Sequence, residues 1–298
     1  MKLNEAIEEF LLACKADGLK RRSVESHTDR LRRLRTLLGE HDVTEITIKD
    51  LRSYAAQLYD NVLSVYTIHG HIRSLHRLFN WLQEEEIIIA NPAKRIRLPR
   101  LPDLPPKAIS VNDLRCMIET AKKQKSEWKR KRDVAILSFL ADTGCRLNGL
   151  VGIKTEHVEL ESRRSKVYEK RDKWRYVFIK LCTVEVLKTW LEQRRKMITL
   201  ESQHALWLSN KGTPLTRFGV QNMLKKLKSD ANITGPANAH AFRHRFAISY
   251  LLDGGDLATL ADLLGHEDVA ITKKYYARFQ IKELQMMHDR HSIIDDVL

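Results

Sequence analysis

Apolar side chains recur every three or four positions along the first ninety or so residues. Ile7, Phe10, Leu11 and Cys14 fall on one helical face, Leu31, Leu34 and Leu38 on a second, and Ile68, Ile72, Leu75, Phe79 and Leu82 on a third. Thr47, followed three positions on by Asp50, has the pattern of a capping box opening a helix that carries Leu51, Ala55 and Leu58. This spacing predicts a small helical bundle over residues 1–91. Asn91-Pro92 ends it. Pro99, Pro102, Pro105 and Pro106 cannot continue a helix and favour extended chain, so residues 92–108 read as a basic, Pro-rich linker.

Beyond the linker the pattern is mainly helical again. Ser110 and Asp113 can cap a helix beginning near Val111, and Asp133 to Ala141 reads as a more buried one. Further helices are expected near 183–196, 216–230, 240–252 and 257–264. Lys166-Val167-Tyr168 and the run from Trp174 to Ile179 flank the polar turn Lys170-Arg171-Asp172-Lys173, which predicts a hairpin, and Ala205-Leu206-Trp207-Leu208 predicts a further strand. Phe279, Ile281, Leu284 and Met287 form an apolar stripe in a tail helix over 277–298. The fold class expected is mainly α with a small β-sheet. The two domains span 1–91 and 109–276, and no internal repeat is visible.

Charge narrows the function. The 298 residues carry 52 Lys and Arg against 38 Asp and Glu, a formal net charge of +14, which suits a polyanion better than a small neutral substrate. No apolar run approaches the ~20 residues that span a bilayer, and the N-terminus lacks a signal peptide's apolar stretch, so a cytoplasmic, nucleoid-associated protein is expected. Cys14, Cys116, Cys145 and Cys182 are too scattered for a zinc knuckle and read as reduced packing residues. The cationic run Lys20, Arg21, Arg22, Arg30, Arg32, Arg33 and Arg35, with Arg95 and Arg97 in the linker, points to double-stranded DNA. Lys20, Arg21, Arg22, Arg30, Arg33, Arg95 and Arg97 are the expected contacts there, joined by Lys173 and Arg175 from the hairpin.

The chemistry-bearing residues lie in the second half. His240 and Arg243, three apart at the start of a helix, can be aimed at one anion. His240 and His244 also have the i, i+4 spacing of a zinc pair, but Ala241 stands where a zinc peptidase carries its Glu and Arg243 would set a cation beside the metal. No metal site is expected. Gly265 should stop a helix and leave His266 on a turn, with Tyr275 and Tyr276 following nine and ten residues later.

In this order the residues resemble the tyrosine recombinase family, the phage-type integrases. Thr143-Gly144-Cys145-Arg146 matches the family's first arginine box; the hairpin carries its lysine, and His240-x-x-Arg243, Leu264-Gly265-His266 and Tyr275 match the rest. The resemblance covers essentially the whole chain and implies an N-terminal core-binding domain that clamps DNA, followed by a tyrosine-recombinase catalytic domain. It implies a site-specific strand transferase with Arg146, Lys170, His240, Arg243, His266 and Tyr275 as catalytic residues and a 3′-phosphotyrosine intermediate. No metal, ATP or other cofactor is implied. Lys170 and Lys173 both match lysines of the family's hairpin segment, and the choice of catalytic lysine stays open between them. Gly149 stands where members commonly carry a Glu, and Glu169 and Arg171 where they often have glycines.

The family's usual assembly implies a tetramer on two DNA sites, with the tail exchanged between protomers; the pattern names no accessory DNA-bending protein. Two other readings share the same residues: a DNA-binding regulator disabled around Gly149, and a type IB topoisomerase-like enzyme that relaxes supercoils.

Overall fold

The computed structural model describes residues 1–168, 173–280, 285 and 288–289. It divides into two compact units, Met1–Leu104 and Pro105–Leu298.

The first unit is built from four helices: α1 (Leu3–Ala16), α2 (Arg21–Leu38), α3 (Ile48–Asp60) and α4 (Val65–Glu84). Each turns one apolar face inward, where Phe10, Leu31, Leu34, Leu51, Leu75, Leu78 and Phe79 are almost wholly shielded from water. Burial of each such side chain contributes about 1.5–3 kcal/mol, which is what holds these amphipathic helices together. The capping box at Thr47 forms as expected: its hydroxyl accepts from the Asp50 amide, and the Asp50 carboxylate accepts from the Thr47 amide at 2.8 Å. The segment expected as linker opens with a 3-10 turn, Pro92–Arg95, capped by the Asn91 side chain, and its Ala93 and Ile96 join this unit's core. The boundary between the units falls further on, between Leu104 and Pro105.

The second unit holds α5 (Val111–Lys122), α6 (Glu127–Thr143), α7 (Leu147–Val151), α8 (Leu181–Arg195), α9 (Arg217–Asp230), α10 (Ala239–Leu252), α11 (Leu257–Leu264) and α12 (Val269–Tyr276). The helix α5 begins with Ser110 accepting from the Asp113 amide, as its sequence predicts. A three-stranded antiparallel sheet joins them: β1 (Val158–Glu159), β2 (Arg164–Tyr168) and β3 (Trp174–Phe178), in the order β1-β2-β3 with Lys166 opposite Tyr176. The hairpin is the expected one, whereas β1 carries too short a pattern to announce itself.

One expected strand is absent. Ala205 and Leu208 make only isolated bridges, to Lys154 and Pro214 respectively. Leu206, Trp207 and Leu208 are buried because they fill the core between helices, and the Trp190 indole donates to the Leu206 carbonyl at 3.0 Å. An apolar run of four therefore reflects burial here, without a strand ladder.

After α12 the chain forms a 3-10 turn, Ala277–Gln280, with Phe279 packed on the small core around Leu251, Leu260, Leu264 and Tyr276. Most of the expected tail helix, including Ile281, Leu284 and Met287 of its stripe, lies outside the described residues. Among the described residues no helix is long and apolar enough to cross a membrane.

Candidate active site

Two helices of the second unit stop at glycines in the left-handed region, and the site is assembled on those stops. α6 ends at Gly144 (φ 56°) and α11 at Gly265 (φ 64°). Space demands glycine as much as φ does: a Cβ at Gly144 would meet the Phe246 ring at 2.8 Å, and one at Gly265 would meet Arg175 at 2.7 Å. The first stop turns the chain so that Arg146 becomes the N-cap of α7. The second leaves His266 in the turn between α11 and α12.

A helix C-terminus carries carbonyls with no partner in the helix and a partial negative charge, which favours cations. At the end of α11 three successive carbonyls each take a guanidinium. Arg175 Nη1 donates to Leu263 O at 2.7 Å, Arg243 Nη2 to Leu264 O at 2.6 Å, and Arg146 to Gly265 O at 3.4 Å. Arg243 also donates to the Gly144 carbonyl at 2.9 Å, so it ties the two helix stops together. These arginines come from three separate stretches of chain, and the turn at 263–265 gathers them.

The histidines complete the pocket. Arg243 Nη2 is 3.0 Å from His266 Nε2, while His266 Nδ1 is 2.7 Å from Thr272 Oγ1. His240, near the N-terminus of α10, stacks parallel to His244 with ring centres 5.8 Å apart, and His244 Nδ1 is 2.6 Å from the Tyr276 hydroxyl. All three histidines are held below the usual imidazole range. Burial is the main cause for each; Arg243 and then Arg146 add to it for His240, and Arg243, Arg146 and Arg175 for His266, which falls to about 4. His244, half-buried and facing His240 and Arg243, also falls to about 4. At neutral pH the pocket thus holds neutral imidazoles among permanent guanidinium charges, an arrangement that receives an anion.

The two tyrosines part company by helical phase. Tyr276 is 2% exposed, and burial pushes its phenol up to about 12, so it stays protonated and shares a hydrogen bond with His244 Nδ1. Tyr275 lies on the outer side of α12, 45% exposed, with its ring 6.3 Å from that of Tyr276. Among the described residues Tyr275 makes no hydrogen bond. The structure therefore joins Arg146, His240, Arg243 and His266 in one pocket and sets Tyr275 on the surface of the helix that leaves it.

Lys170 lies outside the described residues. Its hairpin is fastened beside the pocket at two points, by Arg175 on the Leu263 carbonyl and by Lys173, which pairs with Glu267 at 3.2 Å. Gly149 sits buried in α7, where a Cβ would touch the Tyr168 carbonyl at 3.4 Å.

In the first unit Lys20, Arg21, Arg22, Arg33, Arg95 and Arg97 are exposed, and Arg21 pairs with Glu25 at 2.9 Å. Arg30 is half-buried instead, with its guanidinium packed over Gly70. Sequence reasoning gave no role to Thr272 or to the carbonyls of residues 263–265. The threonine has no distinguishing neighbour except its distance from His266 and Tyr275, and backbone groups leave no trace in residue identity.

Comparison with known proteins gives a consistent result. The model of the phage integrase family matches residues 107–281, and that of the phage integrase N-terminal SAM-like domain matches residues 7–86. The tyrosine recombinase XerC of Alcanivorax borkumensis is 31% identical over 255 residues, covering 86% of this chain and 82% of its own. The tyrosine recombinase XerD of Staphylococcus saprophyticus is 27% identical over 289 residues, covering 95% and 97%. Among solved structures, the Tn1549 transposon integrase in complex with a circular intermediate DNA superposes with a TM-score of 0.78 at 18% identity, covering 97% of this chain and 99% of that one.

Proposed function

This chain belongs to the phage integrase family of tyrosine recombinases, and from that premise we propose that it cuts and rejoins double-stranded DNA at specific sites through a 3′-phosphotyrosine intermediate. The observation that carries the reading is the pocket itself: Arg146 and Arg243 fixed on the carbonyls of Gly265 and Leu264, with His266 and His240 beside them. Phosphoryl transfer builds negative charge on the nonbridging oxygens, and two oriented guanidiniums can bind it through charged hydrogen bonds. Such a donor set neutralises the phosphate with the chain's own cations.

The steps follow from proton positions. Tyr275 Oη attacks the scissile phosphorus; a new P–O bond to tyrosine forms and the bond to the 5′-oxygen breaks. A phenol is a weak nucleophile until its proton is taken, and His240, whose imidazole is lowered from its usual range by desolvation and by Arg243, is the base able to take it. Lys170 protonates the departing 5′-oxygen; the anchoring of its hairpin beside the pocket by Arg175 and Lys173 supports this role. His266 donates to a nonbridging oxygen. Attack of a 5′-hydroxyl on the phosphotyrosine reverses the sequence, so one phosphodiester is exchanged for another and no ATP is consumed. Joining a partner duplex calls for four protomers on two sites, and the exposed cations of the first unit, Lys20, Arg22 and Arg33 among them, provide for phosphate contact.

The test uses a nicked duplex bearing the protein's site, in which the short 5′-hydroxyl strand diffuses away after cleavage and traps the covalent complex. The Tyr275→Phe variant should bind this DNA as the unsubstituted protein does and yield no complex that survives denaturation. The Tyr276→Phe variant should still yield it. A complex that persists without Tyr275 and disappears without Tyr276 would overturn the assignment.

A further inference from the structure

We infer that Thr272 is a positioning residue of this site: its hydroxyl fixes His266 with Nε2 turned to Arg243, and so couples the phosphate pocket to the helix bearing Tyr275. The inference rests on the reaction proposed above. A guanidinium has donors and no acceptor, so the 3.0 Å contact between Arg243 Nη2 and His266 Nε2 requires a lone pair on Nε2. The ring proton then sits on Nδ1 and is donated to Thr272 Oγ1 at 2.7 Å. Thr272 is wholly buried, at 0% exposure, so water cannot replace its hydroxyl.

The placement gives the bond a second consequence. Thr272 faces inward from α12, with Tyr276 one helical turn further on the same side and Tyr275 three residues beyond it on the outer side. The His266–Thr272 bond therefore fastens the start of α12 to the same imidazole that Arg243 engages. When a phosphate enters and takes hydrogen bonds from Arg243, Nε2 is released; the phosphate's negative charge offsets the guanidiniums, so Nε2 takes a proton from solvent and becomes the donor to a nonbridging oxygen while Nδ1 keeps its hold on Thr272. One imidazole thus registers the phosphate on one side and holds the nucleophile's helix on the other. The charged groups around it are Arg243 from α10, Arg146 before α7, Arg175 from β3 and the Lys173–Glu267 pair. The guanidiniums keep the unliganded ring neutral, in agreement with its depressed titration.

A valine at 272 keeps the shape and removes the hydroxyl; a serine restores it. In the full-length protein labelled with 15N-histidine, the His266 side chain should be the Nδ1–H tautomer at neutral pH, with its signals assigned through their loss in His266→Gln. Thr272→Val should convert it to the Nε2–H tautomer or a mixture, and Thr272→Ser should return it. Single-turnover cleavage of the nicked duplex should fall about tenfold in Thr272→Val, the effect of one hydrogen bond. Its pH profile should shift, DNA affinity should stay within about twofold, and the serine variant should recover. An Nε2–H tautomer in the unsubstituted protein overturns the inference, as does a valine variant with unchanged tautomer and cleavage. If the unsubstituted protein forms no covalent complex, the proposed reaction fails instead, and the tautomer measurement still decides the role of Thr272.

Discussion

The two units of the molecule are held together by different means, and the difference separates what makes a fold from what makes a site. In the first unit, buried apolar faces of α1 to α4 meet one another, and its local order is set by side chains such as Phe79 and by the Thr47 cap. In the second, an equally apolar core around Phe139, Trp190 and Trp207 supports a region where charged side chains are drawn inward. Arg243, at 3% exposure, would be costly to bury alone; the Gly144 and Leu264 carbonyls and His266 offset that cost. The first unit gains stability from what it hides, and the second uses stability to hold charge where a phosphate can find it.

The contrast can be broken by exchanging the readouts. Phe79→Ala, at a position fully shielded in the first core, should lower stability by about 3–5 kcal/mol in denaturant unfolding and leave the His266 tautomer unchanged. Arg243→Lys should do the reverse. It keeps the charge but loses the paired geometry, so single-turnover cleavage should fall about a hundredfold, about 3 kcal/mol, while stability changes by no more than about 2 kcal/mol.

Acid should act on both units, and most sharply on the second. His244 and His266 titrate near 4 when folded, against an ordinary value near 6.5, so the unfolded chain binds more protons between those limits. Their stability contribution is intact above pH 6.5 and is lost as the pH falls towards 4. Allowing for partial solvent access, the pair should account for about 2 kcal/mol, read from denaturant midpoints across that range, with His27 and His71 adding a loss of the same sign in the first unit. Equal midpoints at pH 7 and pH 4.5 would contradict this. Smaller still, Thr47→Ala should cost about 1 kcal/mol through the lost cap. Lys173→Gln, at an exposed pair, should change stability by only about 0.5 kcal/mol.

Much of this was legible in the sequence because it is carried by side-chain type and period. The spacing from Ile68 to Leu82 is the inner face of α4, Ser110 caps α5, and the stop at Gly265 leaves His266 on a turn. The order of Arg146, His240, Arg243, His266 and Tyr275 pointed to the family to which the chain belongs. What escaped depends on backbone atoms and on phase. The carbonyls of Leu263, Leu264 and Gly265 gather three arginines, yet any residue would present the same oxygen. Tyr275 and Tyr276 are chemically identical in the sequence, and only the rotation of α12 sends one inward to His244 and the other to the surface. Ala205–Leu208 forms no strand for a related reason, since a short apolar run reports burial and leaves the hydrogen-bond partners undecided.

The central claim is that the guanidiniums held at the end of α11 present a phosphate to the hydroxyl of Tyr275. The most direct measurement is protease digestion of the denatured covalent complex on nicked DNA, with mass spectrometry of the peptide that retains the nucleotide. The account predicts a 3′-phosphate ester on Tyr275 and a released strand ending in a 5′-hydroxyl. An ester on Tyr276, a bond to the 5′ side of the nick, or DNA cleaved with no protein attached would contradict it.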